Sequence, residues 1–386
     1  MSVSTIIGIP LSFLTLIWIP ATLACCIPWV QKQMLYLHWV TFFPGKWLTE
    51  PERAGFLKNQ VTPFHITTSD HERLFSWLIA PLGVYARHAE AFVTERPETD
   101  GIEERLAFKL LRDDPDARLL IYFHGNSATI AQQRRTEEYR SYASGASDKI
   151  FVLAFDYRGF GRSSGTPSES GLLNDAEAVV DFALNTARIS PDRIVLLGHS
   201  LGTAVVAGIA HHYAKLRVEF AGLILCAAFT NAGNAFASYS IGGVVPVLAP
   251  VKISSHFQSW FSRRMSDTWH SDRRLADLAR SCADLRIVFA HAEDDTTMPF
   301  SETQRLFRST LDAAIASSPN DNMIKDLKVV DLGEAGSQQI WQSQSGSKSL
   351  QKTLAKHGGH NGMMLFAPLA LTILQLFGIA APATQL

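Results

Sequence analysis

Short apolar runs recur along the middle of this chain and alternate with longer stretches of helical pattern. The clearest runs are Leu119–Phe123, Ile150–Phe155, Ile194–Leu197, Leu223–Cys226, Ile287–Ala290 and Leu327–Val330. Between two of them, Leu172–Ala187 predicts a helix, with Ser168 or Ser170 as its cap. Strands that are apolar along their whole length are typical of parallel sheets covered by helices on both faces. The chain therefore predicts an α/β fold with a mostly parallel central sheet.

The length and the charge balance narrow the function classes. A chain of 386 residues buries a substantial core without disulfides or structural metals, and its four cysteines form no CxxC pair. The formal net charge of -1 excludes a general electrostatic attraction to nucleic acid. No HExxH sequence or glycine-rich phosphate loop occurs, and His211 and His212 face different sides of a predicted helix. We therefore expect no metal, no cofactor and no nucleic-acid partner, and the oligomeric state stays open.

The chain has 35 basic and 36 acidic residues, and none of them lies in its two ends, residues 1–31 and 361–386. The segment Ile6–Val30 is long enough to cross about 30 Å of hydrocarbon at about 1.5 Å per residue. We predict an N-terminal membrane helix over residues 1–31, with a cleaved signal peptide and a buried helix as the alternatives. Lys32 and Lys46 follow it and favour a cytosolic position for the rest of the chain. Residues 361–386 predict a last helix packed on the sheet.

Two long interruptions stand out in the remaining domain, residues 32–386. About 60 residues separate Cys226 from the apolar run at Ile287, far more than a usual connection. Residues 228–262 of this insertion carry a single formal charge, Lys252. We predict an inserted lid at about residues 228–284. The second interruption, Gly336–Gln351, is rich in serine and glutamine and predicts a surface loop.

One strand is followed at once by a serine between glycines. The run Ile194–Leu197 leads directly into GHSLG at 198–202, and a helical stretch follows. GxSxG between a strand and a helix is typical of a nucleophilic serine on a strained turn. The glycines let strand and helix approach each other, and the helix N-terminus places N–H groups beside Ser200. We predict Ser200 as the nucleophile; the alternative is a tight turn with an incidental serine.

A nucleophilic serine of this kind needs a base and an acid. In this type of fold the acid follows the serine along the chain, and the histidine follows the acid. The run Ile287–Ala290 leads into Glu293, Asp294 and Asp295, after which only His357 and His360 remain among the histidines. We predict Asp295 in preference to Asp294 and Glu293. We predict His360 in preference to His357, because His360 is nearer to the helix expected after this loop.

A further turn follows the strand at Leu119–Phe123. There His124-Gly125-Asn126 is expected to place the backbone N–H of Asn126 opposite that of Leu201. Two such donors form an oxyanion hole for a tetrahedral intermediate. Residues 156–163 after the next strand predict a structural turn, which arginine and aspartate brace and the glycines permit.

With these residues together, the chain resembles the α/β-hydrolase-fold serine hydrolases. It is most similar to their membrane-anchored branch, which includes lysophosphatidylserine and monoacylglycerol lipases. The resemblance is carried by FHGNS (123–127), FDYRGFGRSSGTPSESG (155–171), GHSLGT (198–203), AFTN (228–231) and HAEDD (291–295). It implies that Ser200, Asp295 and His360 form a catalytic triad and that the N-terminal segment is the anchor of that branch. The chain departs from this branch in the lid and in the polar stretch before His357.

These features predict a membrane-associated enzyme that hydrolyses acyl esters of single-chain lipids, as a monoacylglycerol lipase or a lysophospholipase. Its partners would be the lipid ester and the membrane. The expected location is a single pass in the membrane of the endoplasmic reticulum. An acyl-thioesterase or a short-chain carboxylesterase with the same triad is the alternative, and a non-catalytic binding protein is a more distant one.

Overall fold

A ten-stranded sheet runs through the centre of the structure, a computed structural model that describes residues 23–41, 45–96, 101–238, 240–241, 245–246, 254–317 and 327–381. The strands in chain order are β1 Val61–Thr67, β2 Arg73–Ile79, β3 Arg118–Phe123, β4 Ile150–Phe155, β5 Ile194–His199, β6 Gly222–Cys226, β7 Ser240–Ile241, β8 Val245–Pro246, β9 Leu285–Ala292, β10 Lys328–Asp331, β11 Ser337–Gln342 and β12 Lys348–Ala355. The large sheet has the order β1-β2-β4-β3-β5-β6-β9-β12-β11-β10, and β7 pairs with β8 apart from it.

The six central strands, β4-β3-β5-β6-β9-β12, are all parallel to one another. Antiparallel strands flank them, with β2 and β1 on one side and β11 and β10 on the other. Parallel strands end at the same edge of a sheet, where ligand sites of open α/β folds form. The turns after β3, β5, β9 and β12 therefore meet at one edge, and these are the turns that carry the predicted site residues.

Helices cover both faces of the sheet. They are α1 Pro28–Tyr36, α2 Lys46–Thr49, α3 Leu82–Arg87, α4 Ala89–Thr94, α5 Leu106–Asp113, α6 Gln133–Ser144, α7 Glu169–Asp181, α8 Leu201–Lys215, α9 Ala232–Ser238, α10 Ser255–Ser262, α11 Ser271–Ser281, α12 Ser301–Ala316, α13 Gly359–Gly362 and α14 Ala367–Leu376. Helices α7, α8, α11 and α12 pack together on one face, and α6 packs with α14 on the other.

The side chains of a central strand alternate between two apolar clusters, one on each face of the sheet. In β3, Leu119 and Ile121 join the apolar cluster on one face, whereas Leu120 and Tyr122 join the cluster on the other. All four side chains are fully buried. A strand buried on both faces is apolar at consecutive positions because successive side chains point in opposite directions. The prediction of a mostly parallel sheet with helices on both faces is confirmed.

The helix predicted after β4 is present as α7, and a π-helical turn at Phe182–Thr186 extends it. Ser168 caps it, because its side-chain oxygen accepts a hydrogen bond from the N–H of Gly171 at 3.1 Å. The turn before it is held by Asp156 and Arg158. Asp156 accepts from the N–H of Ile130, and Arg158 pairs with Asp175 at 2.8 Å.

The prediction of a surface loop at Gly336–Gln351 is wrong. Strand β11 and the first half of β12 occupy this segment and form an antiparallel pair between β9 and the edge strand β10. The pairing satisfies the backbone whatever the side chains are, and Trp341 and Leu350 supply buried apolar contacts. Polar side chains bond to each other, as Gln351 does to Thr353 at 3.1 Å. The polar composition of this segment therefore led to a wrong prediction. The antiparallel pair of β1 and β2 was not predicted.

The predicted N-terminal membrane helix lies mostly outside the described residues. Of its span, residues 23–31 are described, and α1 crosses the boundary predicted at residue 31. In the described part of the chain, no helix combines the length and the apolarity needed to cross a membrane. Gln31 is buried, and its amide donates to the carbonyl of Arg264 at 2.9 Å and accepts from the N–H of Ser266.

Helix α1 is fastened to the chain segment just after α10. Besides Gln31, its last residue Tyr36 is fully buried, and its hydroxyl donates to the carboxylate of Asp267 at 2.8 Å. The indole N–H of Trp269 lies 3.3 Å from the same hydroxyl. The last residue of the predicted anchor, Gln31, and the end of α1 are thus part of the packed domain. At the other end of the chain, α14 packs on the sheet through Leu369 and Ile373, as predicted.

The long insertion between β6 and β9 contains α9, β7, β8, α10 and α11. Its end is tied to the start of α7, where the Glu169 carboxylate accepts from the backbone N–H groups of Thr268 and Trp269 and pairs with Arg274. Part of the insertion lies outside the described residues. Its action as a lid stays a prediction.

Substitution of Gly202 by alanine should destabilise the fold strongly. A Cβ at Gly202 would lie 2.0 Å from the backbone oxygen of Phe123, so α8 would have to move away from β3. Overpacking of this kind costs about 1–3 kcal/mol or more, since backbone cannot rotate aside. Gly101→Ala is the matched control, because nothing lies within 4 Å of its Cβ position. Thermal unfolding of both variants tests this, and an unchanged melting temperature in Gly202→Ala would contradict it.

Candidate active site

Ser200 occupies the turn between β5 and α8. Its backbone has φ 51° and ψ -115°, a region that costs a non-glycine residue about 1–3 kcal/mol. The turn is held by its N–H, which donates to the carbonyl of Cys226 at 2.9 Å. At the helix N-terminus the first N–H groups have no partner within the helix. The serine hydroxyl therefore lies beside free backbone donors at the carboxyl edge of the sheet.

Asp295 and His360 are brought together at the same edge. The Nδ1 atom of His360, in the short helix α13 that follows β12, lies 2.7 Å from Oδ2 of Asp295, in the loop after β9. The other oxygen of Asp295 accepts from the N–H groups of Thr297 and Met298 at 2.8 and 2.9 Å. A carboxylate held in this way fixes the imidazole tautomer with its proton on Nδ1.

Two of the three alternative residues, His357 and Asp294, bond to other partners. The side chain of His357 is 73% exposed, and the acid 3.9 Å from it is Glu334. Asp294 instead holds the histidine loop, because its carboxylate accepts from the N–H groups of Gly358 and Gly359 at 3.2 and 2.7 Å. The structure thus brings His360 to Asp295, and Asp294 braces the backbone that carries this histidine.

The carboxyl of Asp295 is buried yet ionised. Burial alone raises its pKa, but the hydrogen bonds from His291 and His360 outweigh burial and hold that pKa well below its usual range. An ionised partner stabilises the imidazolium that forms when a histidine accepts a proton. The pair is therefore arranged to make His360 a base.

A second histidine bonds to the backbone of His360. Nε2 of His199, the residue before Ser200, lies 2.9 Å from the backbone oxygen of His360. Burial, and next the nearby His360, lowers the pKa of His199 to about 3. His199 is therefore neutral near pH 7, and its Nε2 donates to the carbonyl. This bond ties the base loop to the turn of the serine.

The turn after β3 is shaped by a buried arginine. One nitrogen of the Arg135 guanidinium donates to the carbonyl of Thr129, and the other donates to those of Ser127 and Gly125. The guanidinium thereby holds these carbonyl oxygens toward itself, while Asn126 lines the cavity beside Ser200.

The same turn is attached to the segment of α1. The N–H of Ser127 donates to the carbonyl of Tyr36 at 2.9 Å, and that of Ala128 donates to the carbonyl of Val40 at 2.7 Å. Ser127 and Ala128 both have positive φ, which makes them dependent on such support. The N-terminal segment is thus one wall of the site.

A cavity of about 260 Å³ opens beside Ser200. Asn126, Ser200, Leu201 and His360 form its reactive end. The other lining residues are apolar except for one threonine, and they are Met34, Leu35, Leu37, Phe229, Ala235, Phe236, Thr297 and Met298. The apolar wall is built from α1, the start of the insertion and the loop after Asp295. Such a cavity suits a ligand with a polar group at one end and a hydrocarbon portion.

Among the described residues, no group of three or more His, Cys, Asp or Glu side chains is arranged to hold a metal ion. The independence from metals and cofactors stays a prediction.

Several residues of the site were not predicted from sequence. His199 and His291 each bond to a member of the Asp295–His360 pair, and the signal available for them was their position at strand ends beside Ser200 and Asp295. Arg135 and the α1 residues left no signal, because their roles depend on packing between distant segments.

A parallel sheet that carries a strained serine between β5 and α8, with an acid and a histidine at the same edge, defines a hydrolase of the α/β class. The model of the alpha/beta hydrolase family matches residues 120–372. The chain therefore belongs to the α/β-hydrolase family, and it is a serine hydrolase.

Curated relatives agree with this family. Lysophosphatidylserine lipase ABHD12 of Danio rerio is 27% identical over 75% of this chain and 68% of its own length. The protein of that name in Mus musculus is 26% identical over 75% of this chain and 65% of its own. Uncharacterized protein YfhR of Salmonella typhi is 28% identical over 49% of this chain and 58% of its own. This chain thus spans about two thirds of the length of the lipases it matches.

A solved structure agrees in fold. An alpha-beta hydrolase from Vibrio vulnificus superposes with a TM-score of 0.55 at 15% identity, covering 92% of this chain and 94% of that one. At this identity the likeness concerns the fold alone.

Replacement of His199 by glutamine should make the protein less sensitive to acid. The pKa of about 3 for folded His199 lies below the ordinary value of about 6.5. Between these pH values the unfolded chain binds a proton that the folded chain does not, so the free energy of unfolding falls as the pH falls below about 6.5. Between about pH 7 and about pH 5, we expect this fall to be roughly 1–2 kcal/mol smaller in His199→Gln. Urea denaturation measures it, and equal falls in both proteins would contradict it.

Proposed function

We propose that this serine hydrolase is membrane-associated and cleaves the acyl esters of single-chain lipids, as a monoacylglycerol lipase or a lysophospholipase. The observation that carries the proposal is the cavity beside Ser200, whose reactive end is polar and whose walls are apolar. The similarity to proteins named lysophosphatidylserine lipase supports it.

In the proposed reaction, Ser200 Oγ attacks the ester carbonyl while His360 takes the hydroxyl proton. Asp295 keeps the proton of the His360 ring on Nδ1 and stabilises the resulting imidazolium. The N–H groups of Asn126 and Leu201 bind the developing oxyanion. The imidazolium then gives its proton to the departing alcohol oxygen, and the acyl group stays on Ser200. Water deprotonated by His360 attacks this acyl-serine, and return of the proton to Ser200 releases the fatty acid.

The substrate class follows from the walls of the cavity. Burial of apolar surface is worth about 25 cal/mol per Å², so an alkyl chain gains affinity from Met34, Leu35, Phe229 and Phe236. Water is a poor competitor for such a surface. A long acyl chain with a small ester-linked head therefore fits better than a short polar ester.

The proposed membrane contact rests on the surface of the α1 region. Leu23, Ile27, Trp29 and Trp39 are more than half exposed, with Trp29 at 69% and Trp39 at 63%. Tryptophan is favoured at the boundary between hydrocarbon and headgroups. Met34 and Leu35 of α1 line the cavity. The charge-free segment of residues 1–31 ends inside α1. A single pass in the membrane of the endoplasmic reticulum remains a prediction.

Ser200→Ala should abolish hydrolysis of lipid esters and labelling by a fluorophosphonate, because the acyl-accepting oxygen is lost. Removal of a triad member costs on the order of 10⁴-fold or more in turnover. Ser281→Ala is the control, since its hydroxyl is exposed and donates to the carbonyl of Asp277 in α11. Retained lipase activity in Ser200→Ala would overturn the mechanism.

A substrate panel separates this function from the alternative enzymes. We expect the purified wild-type protein in lipid-detergent micelles to hydrolyse monoacylglycerol or lysophosphatidylserine faster than acyl-thioesters or short-chain esters of the same concentration. Faster turnover of the thioester or the short ester would replace the lipid proposal with the alternative it favours. No turnover of any of them would favour a binding protein.

Trp29 and Trp39 should lie at the membrane surface. In vesicles of phosphatidylcholine brominated near the headgroup, we expect the double variant Trp29→Phe, Trp39→Phe to lose most of the quenching of tryptophan fluorescence. Trp341→Phe is the matched control, because its ring is buried in the sheet and its N–H has no bonding partner. Unchanged quenching in the double variant would contradict the proposed membrane contact.

A further inference from the structure

A second histidine contacts the acid of the site and is not explained by the triad. His291 is the second-to-last residue of strand β9, four residues before Asp295, and its side chain is fully buried. Its Nδ1 atom lies 2.7 Å from the hydroxyl oxygen of Thr303, on α12. Its Nε2 atom lies 3.1 Å from Oδ2 of Asp295 and 3.0 Å from the backbone oxygen of Met298.

The direction of one of these bonds is fixed by its partners. A carboxylate and a carbonyl oxygen are both acceptors only, so Nε2 of His291 carries a hydrogen and donates. The hydroxyl of Thr303 also lies 2.9 Å from the carbonyl of Ala228, the first residue after the turn that ends β6. The ring thus joins strand β9, the loop of Asp295, helix α12 and the start of the insertion.

The hydrogen bonds to both oxygens of Asp295 fix the plane of its carboxylate. Oδ1 accepts two backbone N–H groups, and Oδ2 receives His291 on one side and His360 on the other. With His291 present, Oδ2 cannot rotate away from His360 without losing a buried charge-assisted bond. Such bonds are about twice as strong as those between neutral groups.

We infer that His291 is a positioning residue for the proposed reaction: it holds Oδ2 of Asp295 against Nδ1 of His360 and so acts on Ser200 through the acid–base pair. The inference rests on the proposed triad. The proposed role needs a hydrogen-bond donor at the position of Nε2. It holds whether or not the substrate is a lipid, and His291 does not have to contact the substrate.

The test compares two amides at position 291. In His291→Gln the side-chain nitrogen reaches about as far as Nε2, whereas in His291→Asn it reaches only as far as Nδ1. Both variants place one amide in the same buried site and are matched in polarity. His291→Leu removes the donor outright, and His357→Leu is the control at an exposed histidine of the same site region.

The full chain in detergent is assayed by the rate of fluorophosphonate labelling at Ser200 and by kcat and KM for a soluble p-nitrophenyl ester. We expect labelling and kcat to fall about 10- to 100-fold in His291→Asn and His291→Leu, with KM unchanged, as for a lost bond to a charged group. His291→Gln should stay within about threefold of wild type, as should His357→Leu.

Equal kcat in the glutamine and asparagine variants, at equal thermal stability, would overturn the inference, because the placement of the donor would then be irrelevant. If His291→Leu fails to fold, the amide pair decides alone. Neither the fluorophosphonate nor the soluble ester is a lipid. A wild-type protein that reacts with both reagents but hydrolyses no lipid would overturn the proposed substrate class. The role of His291 would still be tested by the variants above.

Discussion

The close approach of α8 to β3 is the contact on which the rest of the site depends. It is possible only because Gly202 leaves no side chain between the helix and the backbone of Phe123. The packed helix in turn holds Ser200 in its unfavourable backbone conformation, since relaxation would separate two buried layers. The packing of the helix on the sheet thus supplies the free energy that keeps the serine in this turn at the edge of the sheet.

The acid–base pair is maintained in a different way, by hydrogen bonds in a medium of low polarity. A buried carboxylate without partners would be protonated, whereas Asp295 has four donors and stays ionised. His199 and His291 surround the pair and tie it to β5 and to α12. Three histidines therefore lie close together in distinct roles, which are set by the groups that each ring nitrogen meets.

Much of the sheet was predictable, because strands buried on both faces must be apolar at nearly every position and the runs at Ile150–Phe155 and Ile194–Leu197 have that pattern. The hairpin of β11 and β12 could not be predicted, since these strands gain their order from backbone pairing and tolerate glutamine and serine. The predicted site residues gather at one edge because chain order and strand ends determine their turns. The supporting contacts of Arg135, Tyr36 and Gln31 could not be predicted, because they join segments far apart in sequence with no periodic signal.

Helix α1 begins inside the charge-free N-terminal segment and is also part of the wall of the site. Tyr36 at the end of this helix bonds to the turn of Asn126 and to Asp267 in the insertion. Met34 and Leu35 line the cavity. Residues 31–40 therefore belong to the wall of the cavity, and a shortened form of this protein has to keep them if the turn of Asn126 is to retain its backbone partners at Tyr36 and Val40.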